Sequence, residues 1–182
     1  PLAAALGAAK RRVPEGAPVV FLTPQGARFD QATAERYAAL PGIILLAGRY
    51  EGIDQRLIEA HVDEELSLGD FVMSGGEIAV MAVVDSVARL LPGVLGTEES
   101  AEQESFVEGM FDHPHYTRPE EIAGRRVPDV LLSGDHARIA RWRYQQALGR
   151  TFVRRPELVA QLKLTDGQRA VLDEYLKSVE TV

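Results

Sequence analysis

Between residues 43 and 76 the chain reads IILLAGRYEGIDQRLIEAHVDEELSLGDFVMSGG. Three times in this window an apolar or extended segment runs into a turn that carries glycine. The apolar run 43–47 stops at Gly48 and passes into Arg49-Tyr50-Glu51-Gly52. The extended segment 64–67 ends at Gly69-Asp70, and a third turn falls at Ser74-Gly75-Gly76. Glycine lets a backbone approach a ligand closely or take positive φ, and ligands of open α/β sheets sit beyond the carboxyl ends of the strands. The window therefore predicts one pocket built mainly from backbone. A sharp strand-to-helix turn would by itself explain Gly48 and Gly52, but the second glycine turn beside it favours ligand capture. Neither G-x-G-x-x-G nor G-x-x-x-x-G-K-[ST] occurs in the chain, which argues against a dinucleotide or ATP loop.

The rest of the chain supplies the layers around such a pocket. Residues 2–10 read as an alanine-rich helix, and 18–22 as a short, fully apolar strand of the kind that parallel sheets bury on both faces. The loop Thr23-Pro24-Gln25-Gly26 follows. Helices are predicted over 31–40, 53–61 and 77–91, the last from a wide 3.6-period apolar face ended by Pro92-Gly93. Strands alternating with helices argue for an α/β domain with a parallel sheet and helices on both faces. Residues 96–108 are acidic and poor in large apolar side chains, and read as a linker. Beyond them, Asp135 is placed to cap a helix over 136–148 closed by Gly149, Pro156 suits the first turn of another helix, and Thr165 with Gln168 forms a capping box for a last one. The expected organisation is a first domain over 1–96, a linker over 97–112 and a small helical domain over 113–182.

The 182 residues are 46% hydrophobic and 26% charged, enough for a real core. No apolar run approaches 18 residues, so no membrane span is expected, nor a signal peptide. Without cysteine, disulfides and Cys-ligated zinc are excluded; this fits the cytoplasm. A net charge of −7 taken alone argues against nucleic acid, but the distribution of the charge argues the other way. Residues 1–124 carry −11, whereas residues 125–155 hold eight Arg against Asp129 and Asp135, giving +6. Such a block is either a solvated helix face or a phosphate-contacting surface, for which the guanidinium fork is suited.

The motif GRYEGID at 48–54, followed by SLGDFVMSGGE at 67–77, resembles the signature of the TrmD family of bacterial tRNA (guanine-N1)-methyltransferases, which belong to the trefoil-knotted SPOUT proteins. Further matches fall in order at 22–26, 85–89, 92–96, 115–119, 142–143 and 148–151, so the resemblance covers nearly the whole chain. It implies a deep trefoil knot, which no pattern of residues would suggest. It also implies a further strand, helix and glycine-rich loop ahead of Pro1, so that the sequence reads as truncated at its N-terminus. S-adenosylmethionine is expected to lie against Leu22, Pro24, Gly48, Tyr50, Glu51, Gly52, Ser67, Leu68, Gly69, Asp70, Phe71, Val72, Met73, Gly75 and Gly76. Phe71 stands where some relatives carry Tyr.

The resemblance further implies methyl transfer to N1 of guanosine 37 of tRNA, by a homodimer whose active site crosses the subunit interface. Glu104 stands where the family has Asp as the general base, and Arg89 is expected to hold the guanine O6. Read from composition alone, Glu104 would be one charge in a solvated acidic run, and Arg89 a helix-end ion pair. Asp112 is the second candidate base. His115, Arg118, Arg138, Arg141, Arg150, Arg154 and Arg155 are expected to contact RNA. Asp112, His113 and His115 have metal-ligand side chains, but no fourth ligand is near and no structural metal is expected; loop packing or RNA contact is the reading there. A magnesium ion near Glu51 that assists the reaction is part of what the resemblance implies. The competing functions are a non-catalytic RNA-binding protein on the same scaffold, which a carboxylate at 104 speaks against, and a small-molecule transferase without RNA, which the Arg block disfavours.

Overall fold

The computed structural model describes residues 1–49, 52–94, 105–106 and 108–180, residue 180 by its backbone alone. The chain divides into two compact units, Pro1–Ala101 and Glu102–Val182.

Three parallel strands form the centre of the first unit: β1 (Val19–Arg28), β2 (Ile44–Ala47) and β3 (Glu64–Ser67), in the order β2-β1-β3. Strict alternation along β1 sends its side chains to two separate cores. Val19 and Phe21, with Ile44 and Leu46, pack on Leu6 of α1 (Leu2–Lys10) and on Leu57 and Ile58 of α3 (Gln55–His61). Val20 and Leu22, with Leu66, pack on Tyr37 of α2 (Gln31–Ala38) and on Ala79 and Val83 of α4 (Glu77–Ala88). Helices thus cover both faces. Val19 and Val20 are fully buried, each worth about 1.5–3 kcal/mol of apolar burial.

The expected strand 18–22 is longer than its apolar run. β1 pairs Leu22 with Leu66, leaves the ladder through Thr23–Gly26, then returns to pair Ala27 with the same Leu66. Gly26 makes the return possible: a Cβ there would lie 2.3 Å from the Glu65 and Leu66 backbone. The helix ends also move inward from their predicted limits. Asp54 caps α3 by accepting from the Arg56 amide at 2.9 Å, so the helix starts at Gln55 rather than Ile53. α4 stops at Ala88 rather than Leu91, because the Leu90 and Leu91 amides donate only three residues back, to Val87 and Ala88. α2 is tied to β3 by Arg36, which donates to both Glu64 carboxylate oxygens at 2.7 Å, and by the Tyr37 hydroxyl at 2.8 Å.

The second unit opens with a small hairpin, β4 (Glu121–Ile122) against β5 (Arg125–Arg126). Its two turn residues, Ala123 and Gly124, both have positive φ, 51° and 75°, the twist that tight hairpins favour. The sequence pattern does not announce this hairpin. Four helices follow: α5 (Asp129–Leu132), α6 (His136–Arg154), α7 (Pro156–Gln161) and α8 (Asp166–Glu180). Their core is Met110, Leu148, Val159 and Leu172. The Asp135 cap and the reciprocal Thr165–Gln168 box form as expected. Gly149 does not close α6, which runs on to Arg154. It is buried inside the helix, where a Cβ would meet the Tyr175 ring of α8 at 2.1 Å. This glycine serves close helix packing rather than termination.

Candidate functional site

Beyond the carboxyl ends of the three strands lies a cavity of about 450 Å³. Three loops edge it. The β1 excursion contributes Leu22, Thr23, Pro24 and Gln25; the segment after β2 contributes Gly48, Arg49, Gly52 and Ile53; the segment after β3 contributes Ser67, Leu68, Gly69 and then Phe71 through Gly76. Of the cofactor positions expected from the sequence, twelve therefore border one cavity. Tyr50 and Glu51 lie outside the described residues. Asp70 turns away, its carboxylate paired with Arg28 at 2.8 Å and almost fully exposed. Thr23, Gln25, Arg49, Ile53, Gln55, Glu65 and Ser74 also border the cavity; most are chain neighbours of expected residues, and that proximity is the one signal the sequence carries for them.

The loops hold one another through backbone. The Gly76 amide donates to the Gly48 carbonyl at 3.0 Å, and Arg49 bridges Gly75 in antiparallel fashion. A Cβ on Gly76 would lie 3.0 Å from Ala47 Cα and 3.2 Å from Gly48 N, so the start of α4 is seated directly on the end of β2. Ser67 Oγ accepts from the Gly69 amide and donates to the Gly69 carbonyl, both at 3.1 Å, fixing a turn in which Gly69 has φ +154°. Gly75 differs from Gly76: a Cβ there would meet the Arg49–Glu77 ion pair, not backbone. A cavity of this size, with mixed polar and apolar walls, glycine edges and one carboxylate, Glu65, among its described lining residues, has the dimensions of a small-ligand site.

Arg89 does not border this cavity. It caps the far end of α4 and is exposed, whereas Gly76 and Ala79 at the near end form the wall. Twelve helical residues separate the ends, about 18 Å at ~1.5 Å per residue. Glu104 lies outside the described residues.

In the second unit the loop 112–118 gathers Asp112, His113 and His115, whose possible ligand atoms lie within 4.8 Å of one another. Asp112 Oδ2 is 2.7 Å from His115 Nε2, and Asp112 Oδ1 accepts from the His113 amide at 2.6 Å. The Asp112 amide donates to Ser105 Oγ, and His113 Nδ1 lies 3.2 Å from the Pro114 carbonyl. Burial pushes the Asp112 carboxyl up, but the hydrogen bonds from His115 and the His113 amide, with the charge of the two imidazoles, outweigh it and hold the carboxyl below the usual range. Asp112 is thus a half-buried carboxylate that orients an exposed imidazole.

The arginines sort into two groups. Arg126 pairs with Glu120, Arg141 with Glu174 and Arg155 with Glu157. Arg118, Arg138, Arg143, Arg150 and Arg154 have no carboxylate partner among the described residues. On α6, His136, Ile139, Arg143, Gln146, Arg150 and Arg154 recur every three or four residues, which sets them on one face, opposite the buried Leu148. Arg143 belongs to this stripe although it is not among the RNA contacts expected from the sequence; its seven-residue spacing from Arg150 is the signal that could have found it. Of the expected RNA contacts, Arg150 and Arg154 lie on the stripe, and Arg141 and Arg155 are held in ion pairs. Arg138 lies off the stripe near the start of α6, and His115 and Arg118 sit on the 112–118 loop.

A parallel sheet with a backbone-edged cavity beyond its strand ends, followed by a helical unit with an arginine stripe, defines an α/β protein with room for a small ligand and a separate cationic helix face. The family model described as tRNA (Guanine-1)-methyltransferase TrmD matches residues 1–161. The tRNA (guanine-N(1)-)-methyltransferase of Methylococcus capsulatus is 58% identical over 180 residues, covering 99% of this chain and 72% of that protein. Its namesake in Hahella chejuensis is 60% identical over 174 residues, covering 96% of this chain and 67% of that protein. A third, from Serratia proteamaculans, is 54% identical over 181 residues. The chain belongs to the TrmD family.

Proposed function

We propose that the protein transfers a methyl group from S-adenosylmethionine to N1 of guanosine 37 of tRNA, in the cytoplasm. The observation that carries this reading is the convergence of three glycine-bearing loops on one 450 Å³ cavity in a chain of this family. Residues 1–96 would act as the cofactor domain, 97–112 as a linker and 113–182 as the tRNA-binding domain.

S-adenosylmethionine supplies an electrophilic methyl on a sulfonium. The glycine edges at Gly48, Gly69 and Gly76 leave room for it and offer backbone donors and acceptors. The protein's own task is to make N1 nucleophilic. That nitrogen carries a proton in neutral guanine, so a base must remove it while negative charge moves to O6. Glu104 would take the proton and Arg89 would hold the oxygen. Magnesium belongs to this reading only as an ion near Glu51.

A homodimer is supported by two features of the first unit. α4 leaves Ile78 64%, Met81 69% and Val84 50% exposed, and Val72 nearby in the chain is 87% exposed; apolar surface of this kind marks an interface. Arg89 and the cofactor cavity lie at opposite ends of α4, which suits an active site completed by a second copy.

The test is single-turnover methylation of unmodified tRNA, with guanosine or adenosine at position 37. Transfer to the first and none to the second is expected. Equal transfer to both, or to neither, would sink the assignment.

A further inference from the structure

The methyl-transfer reading assigns no role to His113. Yet it is the most enclosed member of the Asp112–His113–His115 cluster, its side chain 13% exposed against 25% for Asp112 and 72% for His115. The segment leading to it is anchored at three successive residues. Met110 is in the core, the Phe111 amide donates to the buried Thr151 Oγ1 of α6 at 2.8 Å, and the Asp112 amide donates to Ser105 Oγ at 2.9 Å. The ring of His113 is oriented too. Its Nδ1 lies 3.2 Å from the Pro114 carbonyl, which can only accept, so Nδ1 carries the proton and Nε2 of the neutral ring carries the lone pair. Nε2 lies 3.8 Å from Asp112 Oδ1, an oxygen that also accepts. Two acceptors therefore stand side by side, an arrangement that a cation between them satisfies.

We propose that Asp112, His113 and His115 bind a borderline divalent transition-metal cation, zinc before the others. One carboxylate oxygen and two imidazole nitrogens are donors that zinc takes in open sites, where the fourth position goes to water. Such a site is exchangeable, unlike the closed four-ligand kind that holds a structural ion. Ligand atoms of a tetrahedral zinc lie about 2.0–2.2 Å from the ion, and so roughly 3.4 Å from one another. The possible ligand atoms of the three side chains lie within 4.8 Å of one another. The separations from the Asp112 carboxylate, 2.7 Å to His115 Nε2 and 3.8 Å to His113 Nε2, fall on either side of the required spacing. The exposed His115 ring supplies the adjustment. On binding, it gives up its hydrogen bond to Asp112 and carries its proton on Nδ1 instead. The Pro114 carbonyl already holds the far nitrogen of His113, as an outer hydrogen bond holds most metal-bound imidazoles. Magnesium does not suit this set, because it takes oxygen ligands.

With no cysteine, and only His61 and His136 besides these two histidines, the chain offers few competing zinc sites. The full chain, untagged and stripped with a chelator, is titrated with Zn2+ by calorimetry and with Co2+ by visible absorption, both in excess Mg2+. One Zn2+ per chain and the intense visible bands of four-coordinate cobalt are expected. His115→Ala should weaken zinc binding by more than about tenfold, since losing even an outer hydrogen bond of a metal-bound imidazole costs about 10–100-fold. His113→Ala and Asp112→Asn should do the same, and His136→Ala should leave affinity unchanged. Circular dichroism checks that each variant is folded; His115→Ala, changed at an exposed position, decides the matter if His113→Ala is not. No saturable zinc binding overturns the proposal. So does zinc binding that survives both histidine variants, or that His136→Ala removes. Weak six-coordinate cobalt bands would mean an adventitious ion only and would overturn it as well. None of these outcomes bears on methyl transfer, so the metal site and the methyltransferase reading stand or fall separately.

Discussion

In the first unit the candidate ligand site is made of backbone, and in the second it is made of side chains. The 450 Å³ cavity is bounded by loops so closely seated that Gly26 has no room for a Cβ and Gly76 only a tight fit for one. The stripe of α6 carries Arg143, Arg150 and Arg154 without a carboxylate partner among the described residues, and the glycines of the turns ahead of it, Gly124 and Gly134, have open space around them. The two sites should therefore fail in different ways. Steric changes should destroy the first and salt should leave it largely untouched. Charge changes and salt should weaken the second, and small steric changes should be tolerated.

The largest effect is expected where neither wall material matters. Glu104→Gln removes the proton acceptor and should cut single-turnover methylation by roughly 10²–10⁴-fold, with cofactor and tRNA affinities nearly unchanged. Glu104→Asp should keep part of the activity. A near wild-type rate for Glu104→Gln would move the role to Asp112, the oriented carboxylate of the second unit.

Gly76→Val tests the backbone-built side directly. Its β-branched side chain would press on Ala47 and Gly48, an overpacking that costs ~1–3 kcal/mol of stability and displaces the loop that edges the cavity, so calorimetry on the folded protein should show weakened cofactor binding. tRNA affinity should stay within twofold. Gly75→Val should do less, because the group it meets is the flexible Arg49–Glu77 pair. If Gly75→Val proves the more damaging, the seating of α4 on β2 is not what shapes the cavity.

On the side-chain-built side, Arg154→Ala should lower the slope of log affinity for tRNA against log salt by roughly one unit. Arg155→Ala, whose guanidinium is held by Glu157, should lower it less. Equal losses would show that the ion pair does not withhold Arg155 from RNA.

The smallest effect concerns stability in the first unit. Arg36 donates to both oxygens of Glu64, which holds its carboxyl below the usual range against the opposing effect of burial. A depressed folded value gives stability that is present above the unfolded value of 4.5 and is lost as pH falls below it. Both side chains are partly exposed, so the contribution is below about 1 kcal/mol. Between pH 7 and pH 3.5 the urea midpoint should fall slightly more for the wild type than for Glu64→Gln. The same fall in both would leave the pair without a measurable role.

Much of this molecule can be read from short stretches of its sequence. The apolar runs 18–22 and 43–47, the cap at Asp135, the Thr165–Gln168 box and the glycine turns all act over three or four residues, and local chemistry decides them. The clustering of arginine in 125–155 is likewise a property of the string. Other features depend on partners distant in the chain. β1 resumes after Thr23–Gly26 because the β3 edge is there to receive it. Gly149 sits mid-helix because Tyr175, 26 residues later, needs its surface. Arg141 is paired with Glu174, 33 residues further on, an acid that folding brings within reach, while Arg143 and Arg150 meet no such acid among the described residues. Local rules decide what each segment becomes. Which strand edge, ring or carboxylate it meets depends on how segments pack, and no window of a few residues carries that information.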